Sequence, residues 1–259
     1  MKRFVVLLSL MFIGFAFADT INLHWLNYDG TTYQDSTCEI NSDLILPSTP
    51  PTRYGYTFTG WKISNYIPVE YLESTGTQAI DTGVVFSHPN SKVIIKFQPT
   101  SYENSCLSGA ETEASAGRPW TFIATLKNTE TCIWHAQNTT QNSFCTAVNT
   151  SNTYVLEMSQ TDGVFTKTIN GVSYSKNNIP YYTLNSFALF ADNYGNGNYT
   201  QKAKARIYYT KIYENNTLVR DFIPVLDTNG VPCLFDRVEA KFYYNAGTGQ
   251  FIAGPVITE

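Results

Sequence analysis

Trp120, Trp134, Asp192, Tyr194 and Tyr199 are the side chains best suited to engage another molecule. Sugars present flat C–H faces that stack on Trp and Tyr rings, while a flanking Asp or Asn takes hydrogen bonds from their hydroxyls. The loop Asp192-Asn193-Tyr194-Gly195-Asn196-Gly197-Asn198-Tyr199 concentrates such groups. The competing reading buries both tryptophans in a core and makes the loop a plain connection. Catalysis has weaker support. Cleaving a glycosidic bond needs two carboxyl groups flanking it. The run closest to an E-x-D-x-x-E arrangement is Glu111-Thr112-Glu113, and Ala116 stands where the third acid belongs. Small polar neighbours suit a solvated loop there, so a glycoside hydrolase is the minor alternative and no catalytic residue is assigned.

Metal and cofactor signals are sparse. His24, His88 and His135 form neither H-E-x-x-H nor a close ligand pair, and the cysteines are too scattered for structural zinc. Ser108 lacks the G-x-S-x-G elbow of a hydrolase nucleophile. No cofactor is expected apart from calcium, for which Asp192, Asn193 and Asp227 offer hard oxygen ligands; wet turns explain the same residues. A net charge of −4 argues against nucleic acid as a partner.

The positions that must carry these groups lie behind an export signal. Lys2 and Arg3 precede an apolar run, Phe4 to Phe17, that ends in the small-x-small pattern Ala16-Phe17-Ala18. As a helix that run would reach about 20 Å at roughly 1.5 Å per residue, short of the roughly 30 Å of a bilayer core. Residues 1–18 therefore read as a cleavable signal peptide, with no transmembrane anchor and a secreted or cell-surface destination. All five cysteines follow it, where oxidation is available. Cys132 and Cys145 bracket a polar loop that a disulfide would staple, worth about 3 kcal/mol in the chain-entropy model. Sequence alone also admits two buried thiols. Because the total is odd, at least one thiol lacks an intramolecular partner, and Cys233 in its apolar run is the expected one.

With 18 Tyr and 16 Phe but only 15% charged residues, the composition favours strands and turns. Lys92–Phe97 and Tyr154–Met158 alternate apolar with polar, as half-buried strands do. Asn170-Gly171 tolerates positive φ at both turn positions, so Ile169 and Val172 are predicted to pair across a tight hairpin. Ser186–Ala191 is apolar on both faces and reads as a central strand. Ala205–Tyr213 changes parity midway, as at a bulge. The fold class is all-β, a two-sheet sandwich, with residues 19–66 a small module of their own and 67–259 the main domain.

Two resemblances sharpen this reading. The opening strand with Asp29-Gly30, the Pro-rich approach Pro47–Thr52 and Gly55-Tyr56-Thr57-Phe58-Thr59-Gly60-Trp61 resemble the internalin-type B repeat. That is a small β-grasp-like module of bacterial surface proteins. Glu70-Tyr71-Leu72-Glu73-Ser74-Thr75-Gly76-Thr77-Gln78, Ile80-Asp81-Thr82-Gly83, Ile207–Tyr213, Leu218–Val225, Asp227–Cys233 and Lys241–Phe251 resemble the concanavalin-like, laminin-G-type jelly-roll domain over roughly residues 69–253. The resemblance implies a jelly roll with sugar or protein binding, and hence a lectin-like adhesion protein whose partner is a glycan or a cell-surface protein. The alternative is an extracellular spacer without a small ligand. The flanking motifs are expected to be scaffold, and the freely varying middle to carry any binding.

Overall fold

A computed structural model of the chain describes residues 2–11, 20–26, 32–39, 44–64, 66–111, 119–127, 130–137, 144–177 and 185–257. Among these residues there is no helix. The chain divides into two compact units. One comprises residues 1–70, 225–231 and 255–259, the other residues 71–224 and 232–254.

The first unit opens with β1 (Lys2–Met11), β2 (Thr20–Leu26), β3 (Thr32–Glu39) and β4 (Tyr56–Ser64), ordered β3-β2-β1-β4 in one sheet. β1 runs antiparallel to β2 and parallel to β4. Residues 2–11, read above as part of an export leader, thus lie between two strands of the module. The alternation of β2 points Leu23 and Trp25 inward, at 2% and 0% exposure. Trp61 packs edge-on against Trp25 with ring centroids 4.7 Å apart, and Phe58 and Tyr33 lean on Trp61. Gly60, at φ 138°, allows the bend that sets Trp61 there. A short strand, β5 (Tyr66–Pro68), completes the unit's N-terminal part.

The second unit begins with β6 (Leu72–Thr75), β7 (Ile80–Asp81), β8 (Ser91–Pro99) and β9 (Ser105–Glu111). It continues through β10 (Pro119–Lys127), β11 (Glu130–Gln137), β12 (Phe144–Ala147), β13 (Tyr154–Thr161), β14 (Val164–Ile169) and β15 (Val172–Lys176). Then come β16 (Ala188–Leu189), β17 (Asp192–Asn193), β18 (Tyr199–Thr200), β19 (Lys204–Glu214), β20 (Thr217–Asp227), β21 (Pro232–Asp236), β22 (Lys241–Tyr243) and β23 (Ile252–Ala253). The larger sheet runs β15-β14-β13-β8-β19-β20-β21-β22, with β6 on β19 and β23 on β6. The smaller runs β12-β11-β10-β9-β16-β7, with β17 on β9. One core joins them, drawing Val93, Ile95 and Phe97 from β8, Leu107 from β9, Phe122 and Ala124 from β10, and Leu156 and Met158 from β13. Phe122 of the smaller sheet meets Phe165 of the larger with centroids 6.1 Å apart. This is a two-sheet jelly-roll sandwich.

Local expectations are met where pattern is strongest. β8 alternates buried and half-buried without a break. Asn170 and Gly171 adopt φ 46° and 84°, and Ile169 pairs with Val172. β19 shifts register between Ile207 and Tyr209, the bulge that its change of parity predicts. Phe187 to Ala191 are all fully buried, and Ala188-Leu189 pairs with β7 on one side and β9 on the other.

Candidate functional site

Among the described residues of the second unit, polar side chains divide into those bonded to other parts of the protein and those bonded to no described residue. The terminal resemblance motifs belong to the first class. Gln78, 2% exposed, is a hub: its Oε1 accepts from the Thr75 amide at 2.8 Å and from Ser74 Oγ at 3.0 Å, while its Nε2 donates to the Gln250 carbonyl at 2.8 Å. Asn245 Oδ1 accepts from the amides of Ala79 and Gly247, at 3.0 and 2.8 Å. The Ala246 and Thr248 amides donate to the Ala79 and Thr77 carbonyls, so the two turns clasp. A Cβ on Gly247 would come within 2.3 Å of the Thr77 carbonyl oxygen, and only glycine fits the clasp there. Nearby, Asp236 is fully buried and accepts from the Asp221 and Val238 amides at 2.8 and 3.0 Å. Arg220 Nε lies 3.6 Å from Asp236 and its Nη1 2.7 Å from Glu239, while Arg237 pairs with Asp221 at 2.7 Å. Arg220 Nε also donates to the Thr82 carbonyl at 3.1 Å. Arg220 and Asp221 thus brace separate partners rather than each other. Burial, then the hydrogen bond to Glu239, pushes the Tyr243 phenol up to about 12.

The aromatic loop is largely bonded as well. Tyr199 donates to Asp81 Oδ2 at 2.8 Å, and burial followed by that bond and charge raises its phenol well above the usual tyrosine range. Asp192 and Asn193, 2% and 3% exposed, are wall residues of β17 rather than surface groups. Asn193 Nδ2 donates to the Ser186 carbonyl at 2.8 Å, and its Oδ1 accepts from the Gly195 amide at 2.8 Å. Tyr194 is half-buried, its amide donating to the Asn198 carbonyl to close the loop. Trp120 and Trp134 stand on neighbouring strands, Trp120 facing Ala136 and Trp134 facing Ile123. Their side chains lie outside the described residues, as do Thr112, Glu113 and Ala116. Glu111 is in β9 and 5% exposed. Asp227 Oδ1 accepts from the Asn229 and Val231 amides, as in a polar turn. No group of three His, Cys, Asp or Glu among the described residues is placed to hold a metal.

Cys145 is disulfide-bonded, and the ladder sets Cys132 directly opposite it. Cys106 and Cys233 are buried thiols. Burial, reinforced by Asp192, pushes the Cys106 thiol up and keeps it protonated. The Thr131–Thr146 pair, next to the disulfide in the ladder, receives a group that sequence reading missed. Lys167 is fully buried on the inner face of β14 between Phe165 and Ile169, and its Nζ donates to the Thr131 carbonyl at 3.2 Å and Thr146 Oγ1 at 2.8 Å. It crosses from the larger sheet to the smaller. Burial lowers its pKa to about 8, partly offset by the charge of Glu130. Strand parity was the available signal, since Phe165, Lys167 and Ile169 share one face.

The outward face of the larger sheet is where bonded groups give way to open ones. Register lines up Tyr213, Lys92, Ser159, Thr166 and Ser175 in one row across five strands. Lys211, Ile94, Glu157, Thr168 and Ser173 form the next. Neighbours in a row sit about 4.8 Å apart, the spacing of paired strands. Lys92 Nζ lies 4.6 Å from the Tyr213 ring centroid, and Lys96 Nζ 5.2 Å from that of Tyr208. Toward β15 the rows become a hydroxyl ladder, Thr166 bonding Ser175 at 2.8 Å and Thr168 bonding Ser173 at 2.7 Å. At the other end lies a cleft of ≈ 230 Å³ lined by Asn90, Lys92, Glu157, Ser159, Thr161, Tyr213 and Asn216, with Ser91 at its base. The side chains of Glu157, Ser159, Thr161 and Asn216 bond to none of the described residues.

No protein-family model and no curated protein sequence matches the chain. Solved structures do. A candidate carbohydrate-binding protein from Bacteroides ovatus ATCC 8483 aligns with TM-score 0.50 and 10% identity, over 92% of this chain and 69% of that one. A heptameric SAP-like pentraxin from Limulus polyphemus aligns with TM-score 0.48 and 7% identity, over 74% of this chain and 95% of that one. Alginate lyase A1-II′, of polysaccharide lyase family 7, aligns with TM-score 0.33 and 18% identity over 51% of this chain. The match spans 66% of the lyase, just under two thirds of its length. At 10% identity the Bacteroides protein supports the shared fold and nothing finer.

Proposed function

We propose that the chain is an exported, non-catalytic surface or adhesion protein whose jelly-roll unit is lectin-like and binds a glycan displayed on a cell or polymer. The outward sheet face carries this reading. It presents lysines over tyrosine rings, a cleft in which Glu157, Ser159, Thr161 and Asn216 bond to none of the described residues, and a hydroxyl ladder, mostly on regular strands that hold side chains at fixed spacing. Glycan recognition needs that combination of apolar ring surface and dispersed donors and acceptors. The sugar-binding description of the Bacteroides neighbour is in keeping with it. Export is the part of this reading that rests on the basic start and apolar run of residues 2–17, and N-terminal sequencing of the protein from a secreting host is expected to begin at Asp19; a start at Met1 would instead keep β1 in the module's sheet and remove export from the reading. The test of function is a glycan array probed with the secreted chain, with calcium and with a chelator. Retention on a restricted set of glycans is expected. A blank array combined with binding to whole cells would replace this reading with a spacer that contacts protein.

A further inference from the structure

We infer that the cleft between β13, β8 and β19 is a subsite for a single uncharged pyranose ring, entered by one terminal residue of a glycan. This rests on the glycan-binding reading above and names the ligand chemistry that the cleft selects.

The wall is preorganised. Two tight turns form its rim, Asp162-Gly163 between β13 and β14 and Asn215-Asn216 between β19 and β20, all four residues with positive φ. Asn90 ties both, its carbonyl accepting from the Asn215 amide at 2.7 Å and its Oδ1 from the Asp162 amide at 3.2 Å. Glu214 fixes the approach to Asn90 by accepting from the Ser87 and His88 amides at 2.7 and 3.2 Å. Of the lining side chains, those of Glu157, Ser159, Thr161 and Asn216 bond to none of the described residues, while Asn90 and Ser91 are held by the wall. Lys92 offers donors only, Glu157 acceptors only, and Ser159, Thr161 and Asn216 offer both.

That mixture decides the ligand class. An anionic sugar would gain at Lys92 and lose at Glu157, and a cationic one the reverse, because opposite charges line one small space. A hydroxyl group satisfies both at once, donating to the carboxylate while accepting from the ammonium. A polyol with neighbouring hydroxyls therefore suits both charges, and the part of the Tyr213 ring that Lys92, 4.6 Å from its centroid, leaves uncovered is the aromatic surface for a C–H face. Size points the same way. At ≈ 230 Å³ the cleft falls below the roughly 300–1,000 Å³ of sites that enclose drug-sized ligands. One ring fits; an oligosaccharide must continue outside, along the Ser159-Thr166-Ser175 row.

The test is saturation-transfer NMR on the secreted chain with methyl mannoside, galactoside and glucoside, and with methyl glucuronide as the charged control. At least one uncharged methyl glycoside is expected to show saturation transfer. Its affinity is expected to fall at least tenfold in Glu157→Gln and again in Tyr213→Ala, with melting temperatures kept as a check on folding. Preference for the glucuronide, or equal binding by both folded variants, would overturn the subsite. If the array retains glycans while the variants bind them as the parent does, only the subsite fails; a blank array overturns the glycan reading with it.

Discussion

The clasp around Gln78 and Asn245 and the outward face around Lys92 and Tyr213 are both rich in hydroxyls, amides and charges, yet they behave in opposite ways. In the clasp, Gln78 and Thr77 side chains donate to the Gln250 and Thr248 backbone carbonyls from the far end of the chain, and Gly247 leaves no room for a Cβ. On the face, Glu157, Ser159, Thr161 and Asn216 are braced from behind and bonded to none of the described residues in front. The lesson is that most of the distinctive motifs are spent on closure and not on binding. The terminal segments that resemble a known domain close the sandwich, while β13 to β15 extend a face to which β8 adds Lys92 and the motif strand β19 adds Tyr213.

The comparison breaks first at its most buried point. Asp236→Ala removes a fully buried acid and leaves the Asp221 and Val238 amides unmatched, with Arg220 held by Glu239 and the Thr82 carbonyl alone, a change expected to cost about 3 kcal/mol in urea unfolding. Gln78→Ala leaves buried partners of the clasp unmatched and is expected to cost about 2 kcal/mol by the same measurement. Glycan retention in the folded fraction is expected to survive both changes.

Lys167 gives a pH-dependent version of the same contrast. Its folded pKa, about 8, lies below its ordinary value of 10.5. Below pH 8 both folded and unfolded chains hold the proton; above it the unfolded chain alone retains it, so stability rises from pH 8 toward 10. The stability profile of Lys167→Met is expected to be flatter than the parent's across that interval. An unchanged slope would remove the amine from this role. Above pH 10 the raised phenol of Tyr243 opposes the trend, because the unfolded chain ionises first. The smallest effect belongs to the hydroxyl ladder. Thr166→Val with Ser175→Val is expected to leave stability within about 0.5 kcal/mol, while weakening retention of longer glycans more than that of single rings.

Much of the sandwich is legible in sequence because strand parity is a local property. Lys92 to Phe97 alternate, Asn170-Gly171 demands a hairpin, and the broken parity near Tyr208 becomes a bulge. The division of polar residues is not local. Asp192 and Glu157 look equally available as letters, yet Asp192 is 2% exposed while Glu157 lines an open cleft. Tyr199 looks like a stacking residue until Asp81, 118 positions away, takes its hydroxyl. Gln78 reads as one more polar turn residue, but its partner Gln250 lies 172 positions on. Burial by distant segments decides such cases, and no window of sequence contains it.

One measurement bears most directly on the claim that the outward face, and not the motif-bearing clasp, meets the ligand. It is the glycan-array profile of Lys92→Ala/Ser159→Ala/Tyr213→Ala beside the parent, each with its melting curve. The account predicts a melting temperature within a few degrees of the parent's and loss of the retained glycans. A folded triple variant that keeps the parent's array profile would contradict it.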